Sequence, residues 1–321
     1  MARIALLKLF LLFQMTHVSF FWLKPENDKI VKGLESEFCG LVQNAIKQDK
    51  LTLPPIPNVL IRLQQLCKNE DTSLNDIAEL LLDDPGIAAY IIKISNTMMF
   101  NRRNIVCHDI YAAVSRLGMY RVRDIITAKA IEELKTRHLF CQEGNQLLTQ
   151  SAIRSRQLAA TMALIANGLA THPEFPKAVE PEKALLAGLF ADIGLFSLVH
   201  EYQAYLDGGN YLDLDIAKYV FEHSCQEASM MILKHWGFDD DYLEVASNRP
   251  APYRATMKEH IYLDIARMAH YLLLFKNNDD AIDEHHVEMD LAAAEVIYEL
   301  TNLPDPDFNH RLKTVFKNSG F

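Results

Sequence analysis

Between Ala184 and His200 the chain reads Ala-Leu-Leu-Ala-Gly-Leu-Phe-Ala-Asp-Ile-Gly-Leu-Phe-Ser-Leu-Val-His, an apolar run broken by one carboxylate, Asp192. Leu185, Leu186, Leu189, Phe190, Ile193, Phe196 and Leu198 recur at spacings of mostly three and four. The spacing predicts a helix with core on nearly every side, around which other elements must pack. An ionised aspartate in such a place is costly unless something pairs with it. Asp192 therefore either braces neighbouring backbone amides or belongs to a metal site.

The remaining sequence supplies the surrounding elements. At 321 residues there is material for one large domain or two modest ones. Half of the residues are hydrophobic, and Gly and Pro number only 12 each. Strand-like alternation is scarce, so the expected class is all-α. A net charge of −10, a pI of about 5.6 and the lack of a concentrated basic stripe argue against a nucleic-acid partner, which needs cations to displace counterions. Cys39, Cys67, Cys107, Cys141 and Cys225 are odd in number and widely spaced, with no C-x-x-C pair. Reduced thiols in a cytoplasmic protein are the expectation.

Residues 1–23 depart from this composition. They are nearly all apolar apart from Arg3, Lys8, Gln14, Thr16, His17 and Ser19, and no small-residue cleavage site precedes Lys24-Pro25. They read as a helix docked on the protein or as a membrane-surface or membrane-anchor segment. The expected division is an apolar segment at 1–29, an N-terminal helical lobe at 30–140, a second lobe at 145–275 and C-terminal helices at 281–321.

Along the chain, Ile30–Gln48 is predicted as one amphipathic helix. Leu53-Pro-Pro-Ile-Pro57 enforces extended backbone before a helix from Asn58. Ser73 and Asp76 form a capping box, and Asp84-Pro85 is an N-cap followed by proline. His108-Asp109 precedes the helix from Ile110, which Gly118 stops. A long alanine-rich helix over Ala152–Ala170 leads to the Asp192 stretch.

Four of these elements occur in a fixed order: Leu53-Pro-Pro-Ile-Pro57, Asp84-Pro85, Ile94-Ser-Asn96-Thr, and Ala112 through Arg116-Leu117-Gly118 followed by Arg121-Val-Arg. Together they resemble the HDOD domain, a bacterial signalling relative of the HD phosphohydrolases, over roughly residues 48–275. The resemblance implies an all-α fold with an N-terminal lobe packed on an HD-like lobe. In the HD phosphohydrolases, Leu-x-Ala-Gly-Leu-Leu-His-Asp-Ile-Gly-Lys carries adjacent metal-binding His and Asp side chains. Here the frame survives, but Ala191 stands at the histidine and Leu195 at the lysine. The other ligand positions fall on Arg154, Cys225, the Asn248 loop and His270, so only Asp192 is kept. A metal needs several nitrogen or oxygen donors converging on one point. A methyl group, a guanidinium and a thiol do not provide them, and Arg154 is expected to neutralise Asp192 instead.

The only basic concentration is Arg102 and Arg103 with Arg116, Arg121 and Arg123. It reads as a solvated helix-end cluster or as a cradle for a phosphate-bearing ligand. No Gly-rich phosphate loop or hydrolase elbow accompanies it. The expected function is a non-catalytic signal-transduction module that binds another signalling protein, with no catalytic residue, no metal and no cofactor. The alternatives are a metal-dependent phosphohydrolase acting on a nucleotide or phosphodiester, and a small-ligand sensor built on the pocket around Asp192.

Overall fold

Local signals set most helix boundaries in the computed structural model, which describes residues 26–321 apart from 138, 174, 176–178, 251–260, 279–286 and 288. The apolar segment 1–23, with its docked or membrane-surface reading, lies outside the described residues. After Pro57 comes α3 (Asn58–Lys68), following α1 (Asn27–Leu34) and α2 (Glu37–Lys47). The single helix expected over Ile30–Gln48 is thus two. Ser36 starts the second by accepting from the Cys39 N–H, a local bond that competes with helix continuation. Ser73 and Asp76 complete a reciprocal capping box at α4 (Leu74–Leu82). Asp84 accepts from the N–H groups of Gly86 and Ile87 at α5 (Pro85–Ser95). Asp109 does the same for Ala112 at α6 (Ile110–Leu117), and Gly118 passes the chain to α7 (Met119–Thr136).

The axis of the molecule is α8 (Gln142–Thr171), about 45 Å long at 1.5 Å per residue. Around it pack α7, α9 (Pro181–Phe190), α13 (Ile261–Lys276), α14 (Leu291–Thr301) and α15 (Asp305–Ser319). The remaining helices are α10 (Gly194–Asp207), α11 (Leu214–His235) and α12 (Asp240–Ser247). Among the described residues every regular element is helical, so the all-α expectation holds.

Two apolar clusters fill the interior. The larger runs through both halves of the chain, joining Leu63, Ile91 and Ile126 to Ala159, Leu186 and Leu272. The smaller seats Phe38 and Val42 of α2 on Leu198, Tyr202 and Phe221 of α10 and α11. There Phe38 meets Tyr202 and Phe221 edge to face. Residues Pro181–Asp207 are long and apolar enough to cross a membrane by length and composition alone, but they are core, mostly buried inside the protein.

Candidate functional site

The helix expected through Ala184–His200 is interrupted where Asp192 sits. Ala191, Asp192 and Ile193 form a turn between α9 and α10. Its amides bond three residues back instead of four: Ile193 to the Phe190 carbonyl at 3.2 Å and Leu195 to that of Asp192 at 3.0 Å. A glycine on each side sets this geometry. A Cβ on Gly188 would lie 2.4 Å from the Ala159 Cα of α8, and one on Gly194 would lie 2.5 Å from the Ser229 nitrogen of α11. The two neighbouring helices thus grip the segment at both ends, and Asp192 is held between them with no exposure.

Side chains from α7 and α8 converge on its carboxylate. Lys135, near the end of α7, donates from Nζ to Oδ1 at 2.5 Å and to the Ser155 hydroxyl at 2.8 Å. Ser151 donates to Oδ2 at 2.5 Å. The Ser155 Oγ lies 2.7 Å from Oδ1 and 2.8 Å from the Ser151 carbonyl, and its single proton serves one of them at a time. Lys135 is only 2% exposed, so the pair is a dry, charge-balanced unit. The expected cation was Arg154; the one seated on Asp192 is Lys135, while Arg154 lies half-buried one residue before Ser155 on α8. Ser151 and Ser155, four apart, share a helix face and could have been paired from spacing alone. Lys135 had no such signal.

The other aligned positions go separate ways. Cys225 of α11 is fully buried, its Sγ 3.7 Å from the Ser229 hydroxyl. Burial pushes its thiol well up, and the nearby Asp192 charge adds to this. A protonated thiol is a poor metal ligand and a poor nucleophile. Asn248 ends α12 in the left-handed conformation, φ 50°. Its Oδ1 accepts from Arg267 Nε at 2.9 Å and its carbonyl from the same guanidinium at 3.0 Å, which ties α12 to α13. His270 is buried on α13. Among the described residues no three His, Cys, Asp or Glu side chains group as metal ligands. The described residues do not fit the divalent ion that HD enzymes hold: an ammonium sits on the carboxylate, and among them no set of three donors surrounds it.

The five arginines do not form one cradle. Arg102 donates to both oxygens of Glu182, at 3.2 and 3.1 Å. Arg116 donates to the carbonyls of Ser95 and Ile105. Arg121 pairs with Glu180, and Arg103 is exposed. Arg123 is buried, bonded to Asp124 at 2.7 Å and to the Gly237 carbonyl at 2.8 Å, with its guanidinium over the Phe238 ring. Tyr242 completes this network by donating to Asp124 Oδ2 at 2.6 Å. Burial pushes the Asp124 carboxyl up, with the Arg123 charge and the Tyr242 hydroxyl pulling it back.

This all-α helical architecture is the HDOD fold. The HDOD domain profile matches residues 53–252, and the chain belongs to the HDOD family. No curated protein matches it. Its fold is shared with a Shewanella amazonensis protein provisionally named a metal-dependent phosphohydrolase, 22% identical, with a TM-score of 0.64 over 89% of this chain and 99% of that one. An HDOD domain protein of unknown function from Geobacter sulfurreducens is 18% identical, with a TM-score of 0.50 over 87% and 97%. A Marinobacter aquaeolei protein provisionally named for signal transduction is 17% identical, with a TM-score of 0.47 over 94% and 66%. For the Shewanella and Geobacter proteins the likeness is one of fold.

Proposed function

We propose that the chain is a non-catalytic signal-transduction module that acts in the cytoplasm by binding another protein. The observation that supports this reading is the state of Asp192. Its carboxylate is neutralised by Lys135 and bonded by Ser151 and Ser155, all fully or almost fully buried. A hydrolytic metal would have to displace an ammonium, and its neighbours would be Ala191 and a protonated Cys225. On this reading the lobe keeps the packing of an HD-like core without the metal chemistry of the HD phosphohydrolases.

Metal analysis and hydrolysis assays on full-length protein, purified without chelators or metal-affinity resin, test the reading. Nucleotides and phosphodiesters are expected to remain intact, with no stoichiometric Mn, Fe or Zn. Bound metal at one equivalent, lost in a folded Asp192→Asn variant, would overturn it.

A further inference from the structure

Between α5 and α6 the chain makes a loop whose backbone is tied down while its apolar side chains point outward. Asn96 Nδ2 donates to the Cys107 carbonyl at 2.8 Å, and the Cys107 N–H returns to Asn96 Oδ1 at 2.7 Å. Buried Asn101 accepts from the Ile105 N–H at 3.0 Å, and Arg116 binds the Ile105 carbonyl. The Met99 N–H donates to the Asn318 carbonyl next to the C-terminus. Nevertheless Met98, Ile105 and Val106 are 74%, 60% and 57% exposed, and Met98 and Val106 flank the Asn96–Cys107 tie. A loose loop could fold such side chains inward; one fixed at this many points cannot. Because the loop is ordered before a partner arrives, one of the main costs of association is already met.

We infer that this loop docks a protein segment combining apolar side chains with Asp or Glu, an inference that rests on the reading of the chain as a binding module. The charge pattern selects that occupant. From Arg102 to His108 the loop holds two arginines and no carboxylate, in a chain whose net charge is −10. Arg103 is exposed, and the Arg102 side chain remains 67% exposed although it touches Glu182. An anionic membrane is the weaker fit: basic lipid-binding sites gather roughly four to eight cations, and the chain's overall charge opposes such a surface. The apolar residues would be the anchor, and the arginines would pair with acidic groups at its edge.

Random displayed peptides selected on the immobilised full chain, with the winners synthesised and titrated by fluorescence anisotropy, test this. Winners are expected to mix aliphatic or aromatic residues with Asp or Glu. Their affinity should drop at least tenfold for Ile105→Asp, Val106→Asp and Arg103→Glu, and hold for Tyr211→Asp, a still more exposed aromatic residue elsewhere. Three separate loop variants, each checked by thermal melting, guard against one that fails to fold. No winners, winners lacking acid, or binding indifferent to these substitutions would overturn the inference. So would loop-dependent binding to phosphatidylserine vesicles without peptide binding. The metal and hydrolysis results bear on the module reading alone, so the two can fail separately.

Discussion

Helix α7 carries a buried ion pair near each end, and the two are built differently. At its start Arg123 and Asp124 are neighbours in sequence, and the pair has further partners in the Gly237 carbonyl, the Tyr242 hydroxyl and the Phe238 ring. At its end, about 18 Å further along the helix, Lys135 reaches a carboxylate 57 residues away in sequence. There Asp192 is bonded by Lys135 and by the hydroxyls of Ser151 and Ser155. The first pair is local in sequence, and the second holds distant parts of the chain together. That reach, more than burial, should therefore decide how much each loss costs.

The largest effect is expected at the second site. Lys135→Met should cost about 3–5 kcal/mol in urea unfolding, because it takes the ammonium from a buried carboxylate. Combining it with Asp192→Leu should recover much of that loss, since apolar replacement of a whole buried pair is often neutral. Arg154→Ala should cost less than Lys135→Met; a reversal of that order would restore Arg154 as the partner. Gly194→Ala comes next, at about 1–3 kcal/mol, because the added methyl meets the Ser229 backbone and strains the turn that aims Asp192. Tyr242→Phe should cost only about 1 kcal/mol, since Asp124 keeps its arginine. A Tyr242 loss equal to that of Lys135 would end the distinction between the two sites.

The smallest effect concerns pH. An unfolded Cys225 thiol ionises near pH 8.5, whereas the fold holds it protonated well above that. Above that pH the unfolded state has fewer protons than the native one, so Cys225 makes stability fall as pH rises, and a Cys225→Ala variant should flatten that fall. Alkylation of the native protein should leave Cys225 untouched until unfolding.

How much of this was visible beforehand depended on the range of each interaction. Ser73, Asp84, Asp109 and Gly118 act within a few residues, and each sits at the helix end read from sequence. The apolar period of α9 and α10 was equally readable. The break at Asp192 was not, because it depends on the close approach of Ala159 and Ser229 from two other helices. Lys135 escaped for the same reason. On its own helix it follows Leu134 and looks like an ordinary last-turn cation, and only the tertiary fold brings Asp192 to it. Asn96 shows an intermediate case: it read as a family motif, while its work, closing the loop onto Cys107, appears only in three dimensions.

The two fastenings of α7 have a thermal consequence. The penalty for keeping charges dry shrinks on warming, while apolar stabilisation per unit area levels off. Heating should therefore favour the ion-fastened α7 over the seat of α2, where Phe38 and Val42 rest on Tyr202 and Phe221 in an apolar cluster. Hydrogen exchange followed with temperature should show α2 losing protection before α7, so that the molecule opens from its apolar flank while its ionic joints hold.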